Sequence, residues 1–398
     1  MELSRKALGI KFSSTLAISA KANELKSKGL DVVSFSAGEP DFDTPEHIKA
    51  AAVKAINDGF TKYTPASGTT ELKKAICEKL KKDNGLTYEP SQIVVSNGAK
   101  QALQIALMAI LNDGDEVIIP APYWVSYTEM VKIAGGKPVI VYSKNENKFC
   151  PTPEELKSAY TSKTKAIILT SPGNPTGIML SREALVQIAD FAVSNDLFVI
   201  SDEIYEKLIY DPSNEHISIA SINSEIYKRT MVINGVSKSY AMTGWRIGYC
   251  ASSAEIAKVM GSLQSHISGN PNSIAQKAAL EAISGDQSCV FDMRDEFKKR
   301  RDYIYKRALA IPSLLPVEPE GAFYLFIDVS NLYGKKYNGR EINSAADFAA
   351  LLIEEKMVAL IPCADFGMPG HVRLSYASSM EAIKKGMDRI EEFVSKLV

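Results

Sequence analysis

The chain has 398 residues, of which 45% are hydrophobic and 23% are charged, a balance typical of a globular protein and not of a disordered one. Lysine and arginine number 46 against 47 aspartate and glutamate, so the net charge of -1 offers no basic surface for nucleic acid or an anionic membrane. The composition therefore favours a small-molecule partner.

No run of about 18 apolar residues occurs, and the first 30 residues lack a compact apolar core with a cleavage site. The sequence thus predicts a cytoplasmic protein that neither spans a membrane nor is exported. The five cysteines and four histidines are scattered, without a C-x-x-C pair or metal-like spacing. We therefore expect reduced thiols and no metal site.

Between about residues 93 and 252, short β-branched runs alternate with amphipathic segments, which predicts an α/β fold. Runs such as 166–169 are apolar without alternation, as in strands buried on both faces of a mainly parallel sheet. Helical periods cover residues 100–111 and 181–195. The predicted strands lie in "IVVS", "DEVIIP", "KPVIVY", "KAIILTSP", "FVISDE", "TMVING" and "WRIGYCAS".

From about residue 286 the pattern changes to a long charged helix and then to the proline-rich "IPSLLPVEPEG", which we interpret as the passage into a second domain. That domain is predicted to contain a strand in "AFYLFIDV", a helix near residues 345–355, strands in "VALIP" and "HVRLSYA", and a closing helix from Ser379. The sequence therefore predicts two domains.

Polar residues follow several apolar runs directly: Asn97 and Gly98, Asn174, Asp202 and Lys238. In open sheets of this kind, ligands bind beyond the carboxyl ends of the strands. These residues are therefore candidates for one site.

Lys238 stands among small and hydroxyl residues in "GVSKSYAMTGWRIGY", without an acidic neighbour. A poorly solvated lysine loses its proton more easily, and a neutral amine can form a Schiff base with a carbonyl group. Taken alone, Lys238 is better interpreted as a solvated surface lysine, and Asp202 as a helix N-cap. Together, a Schiff-base lysine and a carboxylate facing a heterocyclic nitrogen are what a pyridoxal phosphate site requires.

A phosphate site is predicted where "VVSNGAKQAL" passes from a strand into a helix. Gly98 and Ala99 open this helix, whose free N–H groups and positive dipole end suit an anion. Ser237 and Arg246, which flank the lysine, could add a hydroxyl donor and a bidentate guanidinium.

The motifs together resemble those of the class I pyridoxal-phosphate-dependent aminotransferases. "SAGEPDFDTP", "SPGNPTG", "SDEIY", "SKSYAMTGWRIGY" and "HVRLSYA" follow in the order and spacing of that family, and the likeness runs from about residue 13 to the last helix. Bacterial and archaeal aspartate aminotransferases look most similar. The resemblance implies the aspartate aminotransferase fold: an arm and part of a small domain in residues 1–45, a large cofactor-binding domain in 46–286, and the small α/β domain in 287–398.

For the cofactor, the resemblance implies that Lys238 forms the Schiff base and carries the proton, and that Asp202 keeps the pyridine nitrogen protonated. Asn174 and Tyr205 would hydrogen-bond the ring oxygen, and Trp124 would stack on the ring. The residues implied around the phosphate are Gly98, Ala99, Lys100, Ser237, Arg246 and, from the other subunit, Tyr63. The last assignment implies a homodimer with shared active sites.

For the substrate, the resemblance implies that Arg373 clamps the α-carboxylate and that Gly38 allows close approach to the backbone. Lys100 would reach a distal carboxylate, and Ser13 and Thr15 would belong to a mobile segment that closes the site. Trp124 and Asn174 would also contact the substrate. A second arginine that animal-type enzymes use for the distal carboxylate has no evident equivalent in "SHISGNPNSIAQ".

The implied reaction is transfer of an amino group from aspartate to 2-oxoglutarate, giving oxaloacetate and glutamate in a ping-pong cycle through pyridoxamine phosphate. An aromatic, alanine or prephenate aminotransferase would carry the same motifs. A β- or γ-eliminating lyase would use the same lysine. A non-catalytic sensor would use the same fold, but the sequence has no added helix-turn-helix module or basic tail, which argues against it.

Overall fold

The computed structural model of the chain describes residues 2–12, 14–211 and 213–398. The α-helices are α1 Arg5–Leu8, α2 Ser14–Ser27, α3 Glu46–Asn57, α4 Thr70–Asn84, α5 Ala99–Ile110, α6 Ser126–Ile133, α7 Pro153–Ala159, α8 Arg182–Ser194, α9 Ser224–Arg229, α10 Ala254–Ile267, α11 Ser273–Ser284, α12 Ser288–Ala310, α13 Ala345–Lys356 and α14 Met380–Ser395.

The β-strands are β1 Val33–Ser34, β2 Ile93–Ser96, β3 Glu116–Ala121, β4 Lys137–Tyr142, β5 Thr164–Thr170, β6 Phe198–Asp202, β7 Thr230–Gly235, β8 Gly248–Ala251, β9 Leu315–Val317, β10 Tyr324–Asp328, β11 Lys336–Tyr337, β12 Arg340–Glu341, β13 Val358–Ala359, β14 Ile361–Pro362 and β15 His371–Ser375.

Seven strands form the central sheet in the order β2-β8-β7-β6-β5-β3-β4. All neighbours pair in parallel except β8, which runs antiparallel to β2 and β7. Helices cover both faces because successive side chains of each strand point to opposite sides. Ile168 of β5 packs in one cluster with Leu103 of α5, whereas Ile167 packs in another with Ile188 of α8. The predicted α/β fold with a large, mainly parallel sheet is confirmed.

A second, antiparallel sheet has the order β14-β15-β10-β9. Helices α12, α13 and α14 pack against it in one cluster that includes Phe297, Phe348 and Phe393. The early strand β1 joins this part of the molecule by pairing in parallel with β13. This pairing supports assigning the first 45 residues partly to the small domain, although the domain boundaries themselves stay predictions.

Two details of the sequence prediction were wrong in this region. "VALIP" is not one strand: Leu360 separates β13 from β14, and the two pair with different partners. The proline-rich passage also contains strand β9, whose residues pair with β10. Proline at position 316 is tolerated there because β9 is an edge strand of the sheet.

Among the described residues, none of the helices combines the length and the apolar character that crossing a membrane requires.

Candidate active site

A cavity of about 780 Å³ lies beyond the carboxyl ends of β5, β6 and β7, facing the antiparallel sheet. This position is the one expected for ligand sites in open α/β sheets. The structure brings most of the candidate residues together here, and those that line the cavity are Thr15, Gly38, Ala99, Lys100, Trp124, Asn174, Asp202, Tyr205, Ser237, Lys238, Arg246 and Arg373.

Asp202 ends strand β6 at the floor of the cavity and is 4% exposed. The Tyr127 hydroxyl donates to its Oδ2 at 2.6 Å, and the Ile204 N–H donates to Oδ1 at 3.4 Å. Burial, opposed by the Tyr127 hydrogen bond, raises the pKa of Asp202 to about 6. A positively charged partner inside the cavity would therefore stabilise this carboxylate.

Lys238 follows strand β7 and points across the cavity mouth, where its Nζ donates to the Gly38 carbonyl at 2.5 Å. Burial, opposed by Glu39 and aided by the charges of Arg373 and Arg246, lowers the pKa of Lys238 to about 8. A considerable fraction of this amine is neutral near physiological pH, as a nucleophile or proton acceptor requires.

The amino end of α5 forms a concave cradle beside Arg246. Among the described residues, the N–H groups of Ala99 and Lys100 have no hydrogen-bond partner, and the first turn of α5 contains no acidic residue. Arg246 donates to the carbonyls of Thr243 at 2.9 Å and Asn97 at 3.4 Å, which holds the guanidinium over this end of the helix. The arrangement suits an anion such as a phosphate.

Gly98 shapes the cradle. Its φ of +83° is strained for other residues, and a Cβ there would lie 2.4 Å from Arg246 Nη2. We expect Gly98→Ala to displace the guanidinium and raise the dissociation constant for pyridoxal phosphate at least about tenfold, since a charged hydrogen bond is worth about 1.5–3 kcal/mol.

Gly85→Ala is the matched control, because Gly85 also has a positive φ of +66° but has nothing within 4 Å of its Cβ position. Gly85→Ala should lower the free energy of unfolding by about 1 kcal/mol in urea titrations. Gly98→Ala should lower it by more, because a φ of +83° with a ψ of 161° is a conformation almost restricted to glycine. Equal cofactor affinity in the two variants would contradict the assignment of the cradle.

Arg373 lies on β15 and is 2% exposed. Its Nη1 donates to Asn174 Oδ1 at 2.9 Å and its Nη2 to the Ser36 carbonyl at 3.1 Å, but its buried Nε has no partner among the described residues. The guanidinium also lies 4.4 Å from the centre of the Tyr324 ring. A buried guanidinium with no carboxylate partner and a free donor fits an incoming carboxylate.

Asn174, Tyr205 and Trp124 complete the walls. Because the Asn174 amide oxygen accepts from Arg373, its amide N–H₂ is the group left to donate to a ligand. The Tyr205 hydroxyl is hydrogen-bonded to that of Tyr324 at 2.8 Å. Trp124 packs edge-on against Tyr127, with ring centres 5.5 Å apart, and Lys100 Nζ lies 4.8 Å from the centre of its ring.

Of the candidate residues that the structure describes, Asn97, Gly98 and Tyr63 do not line the cavity. Tyr63 is 97% exposed in the single chain, so its predicted contact with another subunit's cofactor stays a prediction. Gly98 lies behind the Arg246 guanidinium, and Ser13 lies outside the described residues.

Among the lining residues that the sequence analysis missed are two tyrosines that hydrogen-bond candidate side chains. Tyr127 binds Asp202, and Tyr324 binds Tyr205 and faces Gly38. Both are buried aromatic residues, and in sequence such residues cannot be distinguished from ordinary core positions. The only available signal was the position of Tyr127, one helical turn beyond Trp124.

The residues fit pyridoxal 5′-phosphate. The partnerless N–H groups at the start of α5 match its phosphate, the buried Asp202 carboxylate matches a protonated ring nitrogen, and the lowered pKa of Lys238 matches an amine that attaches to an aldehyde. The partnerless Arg373 Nε remains for a substrate carboxylate.

Comparisons with known proteins agree with this chemistry. Residues 30–390 match the family described as aminotransferase class I and II. The chain is 48% identical to the aspartate aminotransferase of Bacillus subtilis, covering 100% of both chains. It is 46% identical to the aspartate/prephenate aminotransferase of Cereibacter sphaeroides, over 98% of this chain and 97% of the other. The structure of Thermus thermophilus aspartate aminotransferase with maleate superposes with a TM-score of 0.93 at 42% identity, over 99% of this chain and 100% of that one.

Proposed function

Because the chain belongs to the class I and II aminotransferase family, we propose that it transfers the amino group of aspartate to 2-oxoglutarate, giving oxaloacetate and glutamate. The resemblance seen in the sequence motifs is thereby confirmed, and the cofactor of the family is pyridoxal 5′-phosphate. The observation that carries the proposal is that one cavity contains the Lys238 amine, the Asp202 carboxylate and the Arg373 guanidinium.

Bound pyridoxal phosphate supplies an aldehyde carbon that takes up the amino group and a ring that withdraws electrons from the substrate α-carbon. The α5 amino end, Ser237 and Arg246 would hold its phosphate, and Asp202 would hold the proton on the ring nitrogen. Asn174 and Tyr205 would donate to the ring oxygen. Hydrogen bonds within the protein already hold four of these side chains, those of Asp202, Asn174, Tyr205 and Arg246, so little reorganisation accompanies binding.

Lys238 serves as the proton carrier. Its pKa of about 8 places the amine close to the working pH, where a group can both accept a proton from the substrate α-carbon and return it. In the structure, the Gly38 carbonyl accepts a hydrogen bond from the Lys238 amine and thereby fixes the position of the amine.

Arg373 orients the amino acid by a charge-assisted contact with the α-carboxylate. Asn174 and the Ser36 carbonyl already hold two of its nitrogens, so the guanidinium is pre-set and its Nε is available. Its burial against the rings of Tyr324 and Phe366 excludes water, which strengthens the contact.

Selectivity for a dicarboxylic substrate is assigned to Lys100. Its ammonium group lines the cavity above Trp124 and has no acidic partner among the described residues. The Thermus relative with maleate, a dicarboxylate, supports this choice. A second anionic group on the substrate would neutralise Lys100 and counter its unfavourable position at a helix start.

A panel of amino donors with 2-oxoglutarate tests the substrate. Aspartate should be the preferred donor, and Lys100→Ala should raise its KM about 10- to 100-fold while changing the KM of alanine less than about threefold, because alanine has no distal carboxylate. Lys132→Ala, which removes a lysine of α6 outside the cavity, is the control. Negligible turnover of aspartate relative to aromatic donors would overturn the assignment.

Prephenate is a second candidate acceptor. One relative is named an aspartate/prephenate aminotransferase, and the cavity here extends past Arg373 along the polar face of α2, at Thr15, Ser19 and Asn23. The same assay with prephenate in place of 2-oxoglutarate decides this point by the formation of its amino product.

A homodimer is part of the proposal, and the exposure of Tyr63 supports it, because a 97% exposed tyrosine is available to a second subunit. We expect Tyr63→Phe to raise the dissociation constant of pyridoxal phosphate about tenfold by removing one hydrogen bond to a charged group. Tyr142→Phe, at a tyrosine that is 63% exposed, should leave it unchanged. Equal affinities in the two variants, or a monomer by light scattering, would contradict a shared site.

A further inference from the structure

A second group of charged side chains is buried behind the segment that carries Asp202 and Tyr205. The side chains of Glu203 and Glu206 are 1% and 4% exposed, and those of Lys79 and His216 are both 8% exposed. None of the four lines the active-site cavity. Within one short segment, therefore, Asp202 and Tyr205 face the cavity, whereas Glu203 and Glu206 face a dry interior layer.

Glu203 is held by three groups. The His216 Nε2 lies 2.9 Å from its Oε2, and the hydroxyls of Ser201 and Ser218 donate to its Oε1 at 2.9 and 2.6 Å. The carboxylate oxygens are thus fully engaged. The contact with His216 is the only one of the three that can add a positive charge.

Glu206 is held by a different set. Its Oε1 is paired with Lys79, and the Asn84 amide donates to its Oε2 at 2.8 Å. Lys79 also donates to the Asn84 oxygen at 2.8 Å, which closes a triangle of side chains. Nearby, Lys207 forms an ion pair with Asp83 at 2.7 Å.

The charges in this cluster balance only when His216 is protonated. The carboxylates of Glu203, Glu206 and Asp83 face two ammonium groups, and a buried carboxylate without a counter-charge is strongly destabilising. Burial lowers the pKa of His216, but the charge and hydrogen bond of Glu203 and the charge of Glu206 outweigh this, so its pKa is above the ordinary value.

Three residues of this cluster, Glu203, Glu206 and His216, could in principle bind a metal ion, because their possible metal-ligand atoms lie within 4.8 Å of one another. Lys79 is already paired with Glu206, so an ammonium group sits against the carboxylate that a divalent cation would need. We therefore interpret the cluster as one whose charge is balanced by a proton on His216 and not by a metal ion. Other titratable groups packed around it are Tyr88, Tyr240 and Tyr249, whose pKa values burial raises, which keeps them neutral. Asp202 is also coupled to the cluster, because burial and, to a smaller extent, the charge of Glu203 raise its pKa to about 6.

We propose that His216, through its ion pair with Glu203, is a positioning residue that holds the Asp202–Tyr205 segment in the geometry that binds the cofactor. Glu203 is adjacent in sequence to Asp202, and its N–H donates to the Ile233 carbonyl at 2.9 Å. Loss of the His216 charge leaves Glu203 uncompensated, and movement of Glu203 displaces Asp202. The inference rests on the proposed function only in that Asp202 binds pyridoxal phosphate.

The test compares wild type with His216→Gln, which keeps a donor toward Glu203 but cannot carry a charge, and with His266→Gln, at an exposed histidine, as the control. The dissociation constant of pyridoxal phosphate and the urea unfolding of the cofactor-free protein are measured from pH 5.5 to 9. A histidine with a raised pKa contributes stability below its unfolded pKa of about 6.5, and this contribution is lost as the pH rises through the folded pKa.

Relative to His216→Gln, wild type and His266→Gln should therefore lose both unfolding stability and cofactor affinity as the pH rises above about 6.5. The comparison cancels the titrations of Asp202 and Lys238, which all three proteins share. At pH 6, His216→Gln should bind pyridoxal phosphate about tenfold more weakly. The double variant Glu203→Gln with His216→Gln removes both charges and should regain most of the affinity for pyridoxal phosphate. Because it leaves no uncompensated carboxylate, it can also be measured if His216→Gln alone does not fold.

The inference would be overturned if His216→Gln bound pyridoxal phosphate with the affinity and pH dependence of wild type. It would also be overturned if His216→Gln lost unfolding stability without any change in its affinity for pyridoxal phosphate. Failure of the double variant to regain affinity would also overturn it. If wild type itself does not bind pyridoxal phosphate, the proposed function fails first, and the stability profile still reports whether the charge of His216 is used.

Discussion

Lys238→Ala should reduce amino transfer by about 10⁴-fold, the largest effect expected of any single substitution in this chain, because it removes both the attachment point of the cofactor and the proton carrier. Binding of the cofactor phosphate should persist, since the α5 amino end and Arg246 are unchanged. The measurement is steady-state transamination together with the visible spectrum before and after addition of aspartate.

The control is Lys82→Ala, which removes an exposed lysine of α4 that does not line the cavity. It should keep activity within about twofold, as surface substitutions away from a site generally do. Borohydride treatment should fix the cofactor to the peptide that contains Lys238 in wild type and to no peptide in Lys238→Ala. An adduct on another lysine, or activity that survives in Lys238→Ala, would refute the assignment.

The lowered pKa of Lys238 should also be visible in the pH dependence of its chemical modification. In cofactor-free protein, the rate at which a small acylating reagent modifies Lys238 should rise with pH and reach half its maximum near pH 8. Lysines of ordinary pKa, about 10.4, should reach half of their maximum modification rate more than two pH units higher. Mass spectrometry of the labelled peptides measures both in one experiment.

Asp202→Asn should lower turnover by about 10³-fold, because an uncharged amide of the same shape cannot keep the ring nitrogen protonated. Tyr127→Phe provides the graded comparison. It retains the carboxylate and removes only the 2.6 Å hydrogen bond to it, so the expected loss is about tenfold. If the two variants were equally active, the charge of Asp202 would not be its function.

The contribution of Asp202 to cofactor affinity should be lost at acidic pH. Burial raises the pKa of Asp202 to about 6, so the carboxylate becomes protonated as the pH falls through 6, and cofactor affinity should fall with it. Asp202→Asn should show no such acidic limb. Affinity titrations between pH 4.5 and 7.5 measure the difference.

The sequence predicted the seven strands of the central sheet because they appear as short β-branched runs, and some, such as β5, contain a continuous apolar run as expected for buried parallel strands. It could not predict their order in space, in which β8 is inserted between β2 and β7, since pairing depends on packing between distant segments. The split of "VALIP" into β13 and β14 has the same cause: the two halves face different partners.

Most of the candidate site could be predicted because its residues occur in motifs at the ends of strands, as with Asp202 and Lys238. Tyr127 and Tyr324 could not, since their role depends on which polar group each hydroxyl meets after folding. His216 was set aside as an isolated histidine. Its partner Glu203 is 13 residues away in sequence, and only the fold brings the two together.

The pairing of β1 with β13 has a consequence for biosynthesis. Val33 leaves the ribosome early, whereas its partner Val358 follows roughly 300 residues later, and Phe35 also awaits Ala359 and Ser375. At typical translation speeds this interval lasts tens of seconds, during which the nascent leading segment has no native partner. The native pairing of this segment can therefore form only after synthesis is nearly complete.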